Sequence, residues 1–147
     1  MTATAHAVIG TVIAAKIGNP ALAIPIAIAS HVAADAFPHW DVVTHGDDKT
    51  WNALFVQSIM DVALGFILSY LILYFFFPAT SYLYAFIVII ASQLFDWLTA
   101  PYYYFKIKLF KPFYKFQKQF DNKMDAPWGI IGQVVVVAGL VILAKVI

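Results

Sequence analysis

The stretch NALFVQSIMDVALGFILSYLILYFFF, Asn52 to Phe77, contains a single charged residue, Asp61. At ~1.5 Å per residue, a helix of that length crosses the ~30 Å hydrocarbon core of a bilayer. The rest of the chain has the same character. Of its 147 residues, 63% are hydrophobic and 12% are charged, whereas a soluble domain carries about 25% charged residues. The composition therefore predicts an integral membrane protein, and the length suits one domain.

Working outward from that run, Pro, Gly and charge divide the chain into five predicted helices. The first covers Thr2 to Lys16 and, lacking a charged leader, reads as retained rather than cleaved. In GNP, Asn19 is placed to cap the second helix with Pro20 at its first position. That helix runs to about Phe37, with a kink expected at Pro25 and an end at Pro38. The third is the opening stretch, the fourth runs from Tyr82 to Tyr104, and the fifth from Trp128 to Val146. The expected fold is an all-α polytopic membrane helix bundle of about five helices. Its first two are short enough to form a tilted or re-entrant pair. The single domain 1–147 divides into 1–77 (three helices), 78–104 (the fourth), 105–126 (a basic-aromatic segment) and 127–147 (the fifth).

All basic residues are Lys and all acidic ones Asp, and there is no Cys. Disulfides, thiolate catalysis and Cys-based zinc sites are thereby excluded. The net charge of +1 gives no footing for a nucleic-acid partner. Most of the lysines fall between Lys106 and Lys123, which places that loop in the cytoplasm, and with it the N-terminus and the Pro38–Trp51 loop. Lys16 and Lys145 oppose this orientation. Lys108, Lys111, Lys115 and Lys118 share one helical face, opposite Leu109, Phe113, Phe116 and Phe120. An amphipathic helix in the interface follows, its lysines set to attract anionic lipid headgroups at about 1 kcal/mol each.

Ionisable groups inside apolar runs are costly and point to function. His31 and Asp35 are one helical turn apart, and His39 and Asp41 follow beyond Pro38. His6, Asp61 and Asp96 lie on three other helices. Measured from the predicted cytoplasmic ends at ~1.5 Å per residue, His6, His31, Asp35, Asp61 and Asp96 all fall in one half of the membrane. No intramembrane Lys or Arg is available to pair with three carboxylates. A divalent cation would neutralise them, with zinc favoured and manganese or magnesium as the alternatives. His6, His31, Asp35, Asp61 and Asp96 are the expected ligands, with His39 and Asp41 as acid and base at the mouth. His45, Asp47 and Asp48 read as a solvated turn. A faint repeat pairs HAVIG (His6–Gly10) with DVALG (Asp61–Gly65), and IASHVAAD (Ile28–Asp35) with IASQLFD (Ile90–Asp96).

HVAADAFPHWD, behind an H-x-x-x-G helix, resembles the YdjM-like family of inner-membrane metal-dependent hydrolases. His6, Gly10, His31, Asp35, Pro38, His39 and Asp41 match its pattern. The H-x-x-x-D-x-x-P-H portion is also similar to a zinc-ligating segment of the zinc-dependent phospholipase C and nuclease families. The resemblance is specific over residues 6–41 and loose at Asp61 and Asp96. Family members carry histidines in the basic loop, where this chain has Gln117 and Gln119. It implies a metal-dependent hydrolase in the inner membrane, acting on a lipid-linked phosphate or other ester. Two readings from other classes fit the same residues: a metal-ion or proton-coupled transporter, and a small adaptor whose polar cluster locks helices. A homodimer is compatible with all three.

Overall fold

In a computed structural model describing residues 1–147, the chain is all-helical. Seven α-helices follow in order: α1 (Ala3–Lys16), α2 (Pro20–Ala36), α3 (Trp51–Phe76), α4 (Tyr82–Ser92), α5 (Leu94–Phe105), α6 (Lys111–Gln117) and α7 (Trp128–Val146). Their starts obey local chemistry. The side chains of Thr2, Asn19, Thr50 and Ser81 each accept a hydrogen bond from a backbone N–H in the first turn of α1, α2, α3 and α4, satisfying donors that the helix itself cannot. Pro20 opens α2 as expected, and α2 continues without interruption through Pro25.

Two helices, α3 and α7, are long and apolar enough to cross a membrane. The expected fourth helix is instead two, α4 and α5, bent by 52° about Gln93, and only together do they reach the length of a span. The break has a local cause. Gln93 Nε2 donates to the carbonyl of Ala3 at 2.9 Å, and the carbonyl of Ser92 accepts from His31 Nδ1 at 2.8 Å. Polar groups at the break are thus committed to α1 and α2. The amphipathic helix is also shorter than expected: a single 3₁₀ turn, Lys108–Phe110, leads into the seven-residue α6. Lys108, Lys111 and Lys115 are exposed, and so are Leu109, Phe113 and Phe116.

Helix α1 lies at the centre, against α2, α3, α4 and α7. Glycines set how closely its neighbours approach. A β-carbon on Gly10 would stand 2.5 Å from Ser92 Oγ and 3.1 Å from the Cα of Ile89. On Gly65 it would stand 3.0 Å from the Cα of Thr4 and 3.1 Å from Ala7 Cβ. The polar-x-x-x-Gly pattern therefore has a physical content: a glycine one turn along lets each helix come close enough for His6 or Asp61 to reach its partners.

The burial pattern is inverted relative to a water-soluble domain. His6, His31, Asp35, His39 and Gln93 are all buried, whereas Leu64, Ile67, Val135 and Ile142 are exposed on α3 and α7. An apolar cluster of Leu73, Ala85, Val88 and Ile89, with Ala14, Ala23 and Ala27, fills the other end of the bundle.

Candidate metal centre

Five segments converge at one end of the bundle: the start of α1, the end of α2 with the loop beyond it, the α4–α5 break, the end of α6, and the turn after α6. His31 projects from α2, and its Nδ1 donates to the Ser92 carbonyl. A carbonyl oxygen only accepts, so Nδ1 carries a proton and, in the neutral ring, Nε2 carries the lone pair. That nitrogen faces Asp35 Oδ2 at 3.3 Å and Asp96 Oδ1 at 3.7 Å. The His6 ring stacks on that of His31, with centroids 3.8 Å apart. Its Nε2 lies 3.0 Å from Asp35 Oδ1. Ser92 Oγ donates to the His6 carbonyl at 2.8 Å, tying α1 to α4 beside Gly10. The Met1 amino group also reaches Asp35 Oδ1.

A second group forms around His39. The His39 Nδ1 donates to the Phe37 carbonyl at 2.7 Å, so in the neutral ring Nε2 is the acceptor nitrogen and in the protonated ring it is a second donor. The carboxylate oxygens around it are Asp121 Oδ1 at 3.4 Å, Asp41 Oδ2 at 3.9 Å and Asp35 Oδ1 at 4.0 Å. None has hydrogen-bond geometry, and Nε2 is buried without a partner. The position is imposed by backbone pairing between two loops. His39 N–H donates to the Asn122 carbonyl at 3.1 Å, and Met124 N–H donates to the His39 carbonyl at 2.7 Å. Asp35 stands between the two groups.

These donors fit a divalent cation. Within each of two sets, His6–His31–Asp96 and His39–Asp41–Asp121, one ligand atom from every residue lies within 4.8 Å of the others. With the rings neutral, the Nε2 atoms of His31 and His39 turn lone pairs toward carboxylate oxygens, an arrangement that a cation between them would stabilise, in addition to the Met1 ammonium already at Asp35. Asp96 Oδ2, like His39 Nε2, is buried without a partner. Imidazole and carboxylate together are the ligand types that zinc and manganese accept.

Gln117, at the end of α6, enters the first group. Its Nε2 lies 3.2 Å from Asp35 Oδ2, 3.2 Å from Asp96 Oδ1 and 3.3 Å from His31 Nε2. One amide nitrogen has two hydrogens for these three acceptors. Beside the second group, Lys118 Nζ donates to Asp121 Oδ2 at 2.9 Å, and Lys123 Nζ to Asp41 Oδ1 at 3.2 Å. Burial alone would raise the Asp121 carboxyl, but His39, Lys118 and Lys123 outweigh it and hold it at about 2. Burial likewise opposes the charge on Lys118, and Asp121 reverses that effect and raises its pKa.

Four of the five expected ligands, His6, His31, Asp35 and Asp96, come together. Asp61 does not. Its Oδ2 accepts from Ala3 N–H at 2.7 Å, and its Oδ1 from Thr4 N–H at 3.2 Å and Thr4 Oγ1 at 2.7 Å. It therefore caps the positive end of α1. His39 is buried rather than placed at a mouth, and with Asp41 it joins a ligand-like group instead of a free acid–base pair. His45 is exposed and bonds to Asp125 at 2.6 Å, away from both groups. Asp47 and Asp48 lie in the Gly46–Asp48 turn. Among the four face lysines, only Lys118 reaches the site. Asp121 and Gln117 are the residues that sequence reasoning missed; the pairing of their loop with His39 joins segments far apart in the chain and leaves no local signature.

No family model, curated protein or solved structure matches the chain. The functional reading therefore rests on the geometry of the site.

Proposed function

We propose that this chain is a polytopic integral membrane protein of the YdjM-like kind, a metal-dependent hydrolase acting on lipid phosphate esters at the cytoplasmic face. The observation that carries this reading is His39 Nε2, buried without a hydrogen-bond partner and surrounded by Asp35, Asp41 and Asp121. His6, His31, Asp35 and Asp96 would hold one cation; His39, Asp41 and Asp121 would hold a second, with Asp35 between. A divalent cation held there would lower the pKa of a bound water and polarise a phosphoryl group. Lys118 stands beside the second group to donate to a phosphoryl oxygen. Water adds to phosphorus, the ester P–O bond breaks, and the departing alcohol takes up a proton from that water.

Hydrolysis is favoured over transport by what lies beyond the site. The interior on the far side is mainly apolar, with Leu73, Val88 and Ile89 fully buried; Thr11 and Ser69 are the polar groups buried there, and no buried Asp, His or Lys continues the cluster toward the opposite face. The basic surface of Lys108, Lys111 and Lys115 supports the orientation with this end at the anionic cytoplasmic leaflet.

The test uses the full chain in lipid nanodiscs. Elemental analysis is expected to find a bound divalent metal, and phosphate release from phosphatidate is expected to stop on chelation and return with added zinc or manganese. Turnover undiminished in metal-free protein overturns the mechanism. Metal-loaded protein that cleaves neither phosphate nor carboxylic esters overturns the function.

A further inference from the structure

A cavity of about 490 Å³ adjoins the site, within the range of pockets that hold small ligands. Asp35, Asp96 and Asp121 line one part of it; Phe55, Ile59 and Val62 of α3 with Trp97 and Ala100 of α5 form an apolar wall, interrupted by Ser58, Asp61 and Thr99. The wall between α3 and α5 suits hydrocarbon.

The direction in which the cavity opens is informative. Ile59 and Trp97 line it, yet they are 53% and 40% exposed, so the cavity has a side opening between α3 and α5. One end of the gap is closed where the helices meet. Tyr104 Oη and Ser58 Oγ are hydrogen-bonded there, and the Phe55 ring meets that of Tyr104 edge to face at 5.4 Å. Elsewhere α3 turns apolar side chains outward, Val56, Met60 and Leu64 among them. Taken as a bilayer span, α3 brings this opening out into hydrocarbon rather than into water.

We propose that the cavity is a lateral portal for the apolar chain of a membrane lipid phosphate. The chain lies between α3 and α5 while the phosphate reaches the carboxylate–imidazole groups and Lys118. This rests on the hydrolase reading for what happens at the phosphate. The physical gain is that the chain never leaves an apolar medium, so the head can enter the site without the cost of exposing the tail to water. At the head, the carboxylates would be matched to a phosphate by the cations of the proposed site, with Lys118 beside Asp121 as a further positive charge; along the tail the match is apolar.

Trp97 provides the probe. Nanodiscs containing phosphatidate brominated on one acyl chain are compared with nanodiscs containing phosphatidylcholine brominated at the same carbons and mole fraction. The expected result is extra quenching of tryptophan fluorescence by the phosphatidate. That excess should vanish in Trp97→Phe and fall about tenfold in apparent affinity in Ala100→Phe, equivalent to ~1.4 kcal/mol. Equal quenching of the wild-type protein by the two lipids overturns the portal, whether or not Ala100→Phe folds. Butyl phosphate turned over as fast as phosphatidate, in wild type and Ala100→Phe alike, also overturns it while leaving the hydrolase intact. Excess quenching with no ester cleaved supports the portal and rejects the hydrolase.

Discussion

The two ligand groups are built differently although Asp35 touches both. The first is gathered by helices: His6 on α1, His31 on α2 and Asp96 on α5, with His31 oriented by the Ser92 carbonyl, the His6 ring stacked on it, and Gly10 permitting the close approach. The second is gathered by loops, where a few backbone hydrogen bonds hold the segment after α2 against the turn after α6. Packed helices resist displacement, whereas loops open at lower free energy. The comparison teaches that the first group is preorganised and the second is conditional, formed only while the His39–Lys123 pairing holds.

The largest effect should come from the residue they share. Asp35→Asn leaves His6 and His31 without their carboxylate and removes the charge facing His39. Breaking a buried charge pair from one side costs ~3–5 kcal/mol. Both cations should be lost together, with a fall in thermal midpoint, as read by elemental analysis and calorimetry of the same preparation. Retention of a full complement of metal by Asp35→Asn would refute the shared-carboxylate picture. Single-group lesions come next. His39→Ala should remove one metal equivalent and spare the other, and His31→Ala should do the reverse. If either variant empties both positions, the two groups are a single unit and the contrast between helix-built and loop-built sites fails.

A subtler change sharpens the contrast. Gln117 Nε2 stands among three acceptors of the first group, so α6 reports on whether a cation is there. Gln117→Glu adds a third carboxylate beside Asp35 and Asp96. Without metal, like charges should lower the thermal midpoint. With metal, the added anionic ligand should tighten binding by about tenfold, since ligand charge count tunes affinity. Titration of the metal-free protein by calorimetry separates the two signs. A variant that binds metal no better than wild type would remove Gln117 from the first group's surroundings.

How much of the fold and site is legible in the sequence follows from range. Caps and stops are local, so the GNP turn and both ends of α2, α3 and α7 are legible to within a residue or two. His31 and Asp35 share a helix face, and their pairing is legible for the same reason. The break at Gln93 is hidden because one amide in an apolar run signals nothing until its partner, the Ala3 carbonyl, and the bond from His31 to the neighbouring Ser92 carbonyl are known. Asp121 and Gln117 are hidden because their loop returns to the site through pairing with residues far away in sequence. Asp61 misleads for another reason. Depth along a helix axis is readable from residue count, but the direction in which a side chain points within the bundle is not, and Asp61 shares the depth of the ligands while facing the start of α1.

That misreading supplies the smallest predicted effect, and it separates position from role. Asp61→Asn keeps the shape of the side chain and removes the charge that faces three donors at the positive end of α1. Losing a charged cap of this kind costs ~0.5–2 kcal/mol, and the amide oxygen can still accept part of the bonding. A drop of a few degrees in thermal midpoint is expected, with metal content and hydrolysis unchanged once the folded fraction is normalised. Metal loss in Asp61→Asn comparable to that in Asp35→Asn would return Asp61 to the ligand set. It would also mean that α1 must move to deliver it, because the Asp61 carboxylate spends its hydrogen bonds on Ala3 and Thr4.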